Sequence, residues 1–165
     1  MFQLHFKPVL AKSHDGQLPF AERAAPSLIS VVSCSLQPMG AAVLWAECPT
    51  GMMVSWFRSS DGGAHFTHWW ETSGTGGDAF DPLSSTVAYR YTGIGPAPAY
   101  ALQRTTDGGA SFTTVSRLFP DEGSESTLAF SDEEHGYVLG PGPNGPVLLY
   151  TGDGGEHWTT VFRER

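Results

Sequence analysis

Four aspartates recur along the chain at one constant spacing, and their carboxylates are groups that can do chemistry. Asp15, Asp61, Asp107 and Asp153 are each separated by 46 residues. A carboxylate can bind a metal ion, transfer a proton, or accept hydrogen bonds from the backbone amides of a tight turn. Hydrolysis at two carboxylates needs a facing pair, whereas one carboxylate per repeat matches one structural turn per repeat. The spacing therefore favours a structural role, with no metal ligand and no catalytic residue at these positions.

The residues around each aspartate repeat with it. The four segments are SHDGQLPF, SSDGGAHF, TTDGGASF and TGDGGEHW. Each has a serine or threonine two positions before the aspartate, a glycine that permits positive φ after it, and an aromatic residue five positions after it. The first segment lacks the second glycine. We call these segments Asp boxes, and their defining residues are Ser13, Asp15, Gly16, Phe20, Ser59, Asp61, Gly62, Gly63, Phe66, Thr105, Asp107, Gly108, Gly109, Phe112, Thr151, Asp153, Gly154, Gly155 and Trp158.

Short β-rich runs separated by glycine and proline lie between the boxes. Around the box of Asp61, the pattern predicts strands over 27–34, 41–48 and 52–59 before it and over 66–71 after it. The next two repeats show the same order, and we find no convincing amphipathic helix longer than two turns. Each repeat is therefore predicted to form four antiparallel strands, with the box joining the third to the fourth.

Four strands in a repeat of 46 residues are typical of one blade of a β-propeller. The predicted fold is all-β, with a half blade over 1–26 and blades over 27–72, 73–118 and 119–165. About 3.5 blades are fewer than a closed ring usually contains. We expect the chain to be part of a larger propeller; the alternatives are a second chain that completes the ring and a small propeller that closes on itself.

The boxes resemble the Asp-box, or BNR, repeat. This repeat occurs in sialidases, sortilin-type receptors, xyloglucan-cleaving glycoside hydrolases and bacterial propellers similar to photosystem II assembly factors. The segments LAFSDEEHGYVLG and VLLYTGDGGEHWTTV are most similar to the last group. The resemblance covers nearly the whole chain and implies the propeller fold, but a fold by itself does not fix function.

In Asp-box propellers the boxes lie on the face opposite the usual ligand face. The resemblance therefore directs attention to the loops after each second strand, such as 140–145, and to the loops between blades, of which WWETSGTGGDAFD is the longest. Trp69 and Trp70 are adjacent, so a regular strand would point them to opposite faces. An exposed tryptophan beside carboxylates could bind a sugar or peptide, and the alternative is a solvated loop after a core tryptophan. The candidate ligand-binding residues are Trp69, Trp70, Glu71, Asp78 and Asp81.

The resemblance to sialidases does not extend to their substrate-binding residues. Those enzymes use an arginine triad and a Phe/Tyr-Arg-Ile-Pro segment, and Arg90 in AYRYT is the nearest match here. We therefore expect a non-catalytic binding or assembly scaffold that presents its loops to a protein or glycan. The alternative is part of a carbohydrate-active glycoside hydrolase or sialidase-like enzyme whose catalytic residues lie partly outside this chain.

Composition limits the partners further. Nine lysines and arginines against 17 aspartates and glutamates give a net charge of −8, which argues against nucleic acid and anionic membrane surfaces. No apolar run is long enough for a membrane span, and no motif predicts a cofactor. Similar bacterial repeats often carry a cysteine near the positions of Cys34 and Cys48, so either a cross-strand disulfide or two small buried residues is expected. A disulfide would favour an extracytoplasmic location, with any signal peptide outside this chain.

Overall fold

A computed structural model describes the chain over residues 10–12, 21–23, 34–50, 53–73, 79–93, 100–118, 126–142 and 144–163. The described residues form one two-stranded sheet and three four-stranded antiparallel sheets, and none of them is helical. This arrangement confirms the predicted all-β fold built from propeller blades. The chain divides into two compact units, residues Met1–Gly74 and Thr75–Arg165, which we call unit 1 and unit 2.

Unit 1 contains a short hairpin and one complete blade. Strands β1 (Leu10–Lys12) and β2 (Ala21–Arg23) pair with each other. The blade consists of β3 (Ser35–Met39), β4 (Val43–Thr50), β5 (Met53–Ser59) and β6 (Thr67–Ser73), paired in sequence order. Ala46, Cys48 and Phe57 form a buried cluster on this sheet. The box of Asp61 lies between β5 and β6, so the predicted strand order of the blade is confirmed.

The first described strand of this blade, Ser35–Met39, was not predicted from the sequence pattern. The apolar run 27–34 was the predicted strand, but β3 occupies Ser35–Met39 and residues 24–33 lie outside the described part of the chain. SLQPM is a weak strand pattern because proline cannot donate a ladder hydrogen bond. β3 tolerates Pro38 because the strand lies at the edge of its sheet.

Unit 2 contains two complete blades. The first consists of β7 (Ala79–Pro82), β8 (Ala88–Gly93), β9 (Tyr100–Thr105) and β10 (Thr113–Ser116). The second consists of β11 (Thr127–Phe130), β12 (Gly136–Gly140), β13 (Val147–Thr151) and β14 (Thr159–Arg163). In both blades the box again joins the third strand to the fourth.

The two blades of unit 2 pack face to face around one core. Tyr89, Tyr91 and Leu102 of the first blade are buried against Phe130 and Val138 of the second. The ring of Tyr89 stacks on that of Phe130, with the centroids 3.8 Å apart. Both tyrosine hydroxyls reach backbone acceptors: Tyr89 donates to the Glu133 carbonyl at 2.8 Å and Tyr91 to the Leu118 carbonyl at 2.7 Å. Ring burial and the hydrogen bond from Tyr89 to Glu133 therefore join the two blades, and the hydrogen bond of Tyr91 satisfies its buried hydroxyl.

Candidate functional site: the two ends of the blades

The box of Asp61 is a closed hydrogen-bonded turn. The Ser59 hydroxyl donates to Asp61 Oδ1 at 2.8 Å and accepts the Gly63 amide at 2.9 Å. The same Asp61 oxygen accepts the His65 amide at 2.9 Å. Gly62 and Gly63 have φ values of 70° and 88°, which residues with a side chain rarely adopt. The serine, aspartate and glycines of the box are therefore all used by the turn itself.

The other two described boxes repeat these hydrogen bonds. Thr105 donates to Asp107 Oδ1 at 2.7 Å, and Thr151 donates to Asp153 Oδ1 at 2.8 Å. Each threonine oxygen accepts the amide of the second glycine, at 3.0 Å for Gly109 and 2.9 Å for Gly155. Each aspartate Oδ1 also accepts the amide four residues later, at 2.9 Å. The first box, with Ser13, Asp15, Gly16 and Phe20, lies outside the described residues.

Hydrogen bonds to the ionised form lower the pKa of the box aspartates. The His157 amide, the His157 ring and the Thr151 hydroxyl bring the pKa of Asp153 to about 2 from 3.8. Bonds from His65 and Ser59 hold the pKa of Asp61 well below its ordinary value, and bonds from Ser111 and Thr105 do the same for Asp107. These carboxylates therefore stay charged near neutral pH and act as acceptors for the turn.

Each box is also tied to the first turn of its own blade, a link that the sequence analysis missed. The amide of the first box glycine donates to a carbonyl in the turn between the first and second strands. The pairs are Gly62 with Ala42 at 2.7 Å, Gly108 with Thr86 at 2.8 Å and Gly154 with Glu134 at 2.8 Å. A similar separation from the box, 20 residues in two of these pairs and 22 in the third, is the sequence signal for it. These two turns form one end of each blade, which we call the box end.

The box aromatics fill space next to the turns. Phe66 packs against the buried cluster of unit 1. Trp158 packs against the core of unit 2, and its indole nitrogen donates to the Gly155 carbonyl at 2.9 Å. The ring of Phe112 lies under the Arg90 guanidinium, with the carbon 3.8 Å from the ring centroid. Two of the three described aromatics thus pack against hydrophobic clusters, and the third makes a cation–π contact.

The tryptophan pair lies on β6 in unit 1. β5 and β6 shift register between Trp56 and Phe57, so Trp69 is an extra residue opposite that step. Trp69 and Trp70 are both half-buried, with ring centroids 5.8 Å apart, and Trp69 meets Trp45 edge to face at 4.7 Å. The expectation that Trp69 and Trp70 point to opposite faces is therefore wrong, because a β-bulge breaks the alternation.

Two carboxylates of the predicted ligand-binding loop, Glu71 and Asp81, lie in different units and make different contacts. Glu71 on β6 accepts a hydrogen bond from the Ser55 hydroxyl at 3.1 Å. Asp81 lies on β7 in unit 2 and accepts the Phe130 amide at 2.5 Å, so it joins the first strands of two neighbouring blades. Partial burial raises the pKa of Asp81 and outweighs that hydrogen bond. Asp78 lies outside the described residues. Asp81 therefore makes a structural hydrogen bond between two blades.

Cys34 and Cys48 form a disulfide in unit 1. Ser35 pairs with Glu47 in the antiparallel register, which places the two cysteines directly opposite each other. Cys48 is completely buried, in contact with Ala46 and Phe57. The disulfide lies where β3 begins and near the end of β4, at the end of the blade away from the box. We call this end, where the second strand turns into the third, the loop end.

The loop end of the last blade contains a shallow cleft of about 600 Å³. Gly142 and Gly145 shape it: the Gly145 amide donates to the Gly142 carbonyl at 3.2 Å, and a side chain at Gly142 would overlap Val147. None of the described lining residues is ionisable at neutral pH, so this part of the cleft can hold apolar groups. Its lining residues are Thr127, Leu139, Gly140, Pro141, Gly142, Gly145 and Pro146.

A second cleft, of about 520 Å³, lies at the box end of unit 2 and is strongly charged. Arg104 forms an ion pair with Glu133 there, and Glu134, Asp153 and Glu156 also line the cleft. Across the described residues, histidines, cysteines and carboxylates form no group of three that could hold a metal ion. The described part also contains no helix of the length and apolarity that a membrane span requires.

Comparison with known proteins finds similarity in structure only. No protein-family model matches the sequence, and no curated protein does. A solved structure of YCF48 bound to D1 peptide superposes with a TM-score of 0.56 and 16% identity over 98% of this chain and 46% of that chain. The GH74 enzyme of Niastella koreensis gives a TM-score of 0.54 and 21% identity over 82% of this chain and 23% of that chain. The chain thus spans less than half the length of these proteins, and it shares their fold of β-propeller blades.

Proposed function

We propose that the chain is a non-catalytic scaffold whose blades bind a protein segment at the loop end. The observation that carries this proposal is the uncharged cleft at the turn between β12 and β13. Leu139, Pro141 and Pro146 give it apolar walls, and an apolar concavity with few polar groups is typical of binding sites. The described lining of this cleft can contribute binding energy but supplies no carboxylate or imidazole for acid–base catalysis.

The acidic groups at the box end also support placing binding at the loop end, because structural contacts already use them. The carboxylates of Asp61, Asp107 and Asp153 accept hydrogen bonds from their own turns, and Asp81 accepts the Phe130 amide. These four acids are therefore occupied by structural contacts. The peptide in the YCF48 structure, a propeller of similar fold, adds support for a protein segment as the ligand.

The proposal also extends to residues outside this cleft. The half-buried Trp69 and Trp70, next to Glu71, are proposed as a second contact surface for the protein partner or for a glycan. Asp78, in unit 2, remains the other candidate ligand residue from the sequence, whereas Asp81 already accepts the Phe130 amide. The Cys34–Cys48 disulfide supports an extracytoplasmic location, because such bonds persist in oxidising compartments. Further blades, or a second chain, are proposed to complete the ring.

Peptide selection tests the binding proposal. A phage-displayed library of random linear peptides is selected on the immobilised chain, and the enriched peptide is titrated by calorimetry. In Pro146→Glu, a charge enters the cleft, and we expect binding at least about tenfold weaker, a typical loss for an interface contact. The matched control is Pro38→Glu, an exposed proline on β3 that should bind as the wild type does. Equal binding by both variants would contradict the proposal.

The alternative function is part of a glycoside hydrolase, favoured by the structural likeness to the GH74 enzyme. It predicts turnover of a chromogenic glycoside by this chain or by the chain joined to further domains. A panel of such glycosides distinguishes the two functions. Release of chromophore that is lost on replacing one acidic residue would replace the scaffold proposal with the enzymatic one.

A further inference from the structure

Asn144 is the only asparagine of the chain, and it directly precedes Gly145 in the turn between β12 and β13. Asn144 is exposed, and Gly145 has no side chain to shield its amide nitrogen. In an Asn–Gly pair this nitrogen can attack the side-chain carbonyl carbon of the asparagine, because the two atoms close a five-membered ring. The turn therefore presents both groups that this reaction needs to solvent.

The attacking nitrogen is held by one long hydrogen bond. The Gly145 amide donates to the Gly142 carbonyl at 3.2 Å, the upper end of the usual range for such a bond. The amide must leave this bond before its nitrogen can attack. Because one hydrogen bond contributes little net free energy, its release should slow the reaction only about fivefold.

The Asp–Gly pairs of the described boxes could close the same ring, but the fold restrains them. The amides of Gly62, Gly108 and Gly154 donate to carbonyls of the neighbouring turn at 2.7, 2.8 and 2.8 Å. Each box aspartate also accepts hydrogen bonds that fix its side chain. The pKa of Asp153, about 2, keeps it ionised at neutral pH, and an ionised carboxylate resists attack by a nucleophile. The structure thus protects these pairs and leaves the Asn–Gly pair open.

We propose that Asn144 is a self-modification site, at which the folded chain converts its asparagine to aspartate and isoaspartate. The Gly145 nitrogen loses its proton to solvent base and forms a bond to Asn144 Cγ. The bond from Cγ to the side-chain nitrogen breaks, and ammonia leaves with a proton from water. Water then opens the succinimide ring at either carbonyl. The net reaction consumes one water and releases one ammonia, with no oxidant or reductant.

The modified residue lies next to the cleft at the loop end. Asn144 stands in sequence between Gly142 and Gly145, and both of these glycines line the cleft. Either product places a carboxylate beside a lining in which no described residue is ionisable. Isoaspartate also adds one carbon to the main chain of the turn. If the proposed function holds, on which this consequence rests, the loop end loses affinity for its peptide as the chain ages.

Peptide mapping by mass spectrometry tests the modification without any ligand. The whole chain is incubated in mildly alkaline buffer, folded or unfolded in guanidinium chloride, and the aspartate and isoaspartate peptides are separated by retention time. Asn144 should convert about fivefold more slowly in the folded chain than in the unfolded one. Asp107 and Asp153 should isomerise only in the unfolded chain. Asn144→Gln is the control and should persist, because its longer side chain would have to close a six-membered ring.

An Asn144 that persists in the folded chain while it converts in the unfolded chain would overturn the inference. The consequence for binding is measured on aged chain separated by ion exchange. Its modified forms should bind the selected peptide at least about tenfold more weakly, whereas aged Asn144→Gln should bind as its fresh form does. Unchanged affinity of the modified forms would overturn this consequence. The mapping decides the modification whether or not a peptide is selected, so a failed selection contradicts the proposed function alone.

Discussion

The two ends of the blades use their residues in opposite ways. At the box end, three turns have the same hydrogen bonds, with the aspartate accepting the amide four residues later at 2.9 Å each time. At the loop end, a disulfide lies near the second-to-third strand turn of one blade, and an uncharged cleft is built on that turn in another. The three described box turns keep the same residue types, and each joins the third and fourth strands of its blade. The other end is free to differ between blades, and we place binding there.

The largest expected effect at the box end comes from Gly155→Ala. Gly155 has a φ of 96°, and an added Cβ would overlap the fully buried Leu102. Backbone strain and overpacking together should lower the free energy of unfolding by about 4 kcal/mol. Chemical denaturation followed by circular dichroism measures this loss.

Gly40→Ala separates the two causes in that experiment. Gly40 has a φ of 79°, but an added Cβ would meet nothing within 4 Å. Its substitution should therefore cost about 1 kcal/mol, from backbone strain alone. Equal losses at Gly155 and Gly40 would mean that the box glycine is not held against the core.

The next largest effect belongs to the loop end of unit 1. Cys34→Ser removes a disulfide that spans a sequence separation of 14, which should cost about 3 kcal/mol. Tryptophan fluorescence during urea denaturation reports mainly on this unit, because four of the five tryptophans lie there. Ser35→Ala, at the neighbouring exposed position, is the control. A shift no larger than that of the control would show that the disulfide does not stabilise this blade.

A smaller effect is expected for Thr105→Val. Thr105 is buried, and its hydroxyl accepts the Gly109 amide and donates to Asp107. Valine keeps the shape but leaves that amide without its acceptor, at a cost of about 2 kcal/mol. Thr106→Val changes an exposed neighbour and should be nearly neutral. If the two variants unfold at the same urea concentration, the Thr105 hydroxyl does not stabilise the turn.

Acid should lower the stability of the chain by less than any of these substitutions does. The pKa of Asp153 is about 2 in the folded chain against an ordinary 3.8, so the ionised form favours folding. This contribution is complete above about pH 4 and is lost as the pH falls through about 2. The urea midpoint should therefore decline over that interval. Asp153→Asn should decline less, and an equal decline would assign the acid sensitivity to other groups.

The sequence predicted what repeats and missed what depends on strand pairing and packing. Four boxes at one spacing predicted the blades and the position of the turn between the third and fourth strands. The hydrogen bond from the Phe130 amide to the Asp81 carboxylate joins residues 49 positions apart, and no local pattern indicates it. The bulge at Trp69 likewise depends on how β6 pairs with β5. The weak strand at Ser35–Met39 was missed because a more apolar run precedes it.

Amide hydrogen exchange tests the contrast between the two ends most directly. The chain is measured free and saturated with the peptide selected above. We predict that binding slows exchange in the turn around 139–146 and leaves the boxes at 107–111 and 153–157 unchanged. Protection confined to the boxes, or spread equally over both ends, would contradict the assignment of binding to the loop end.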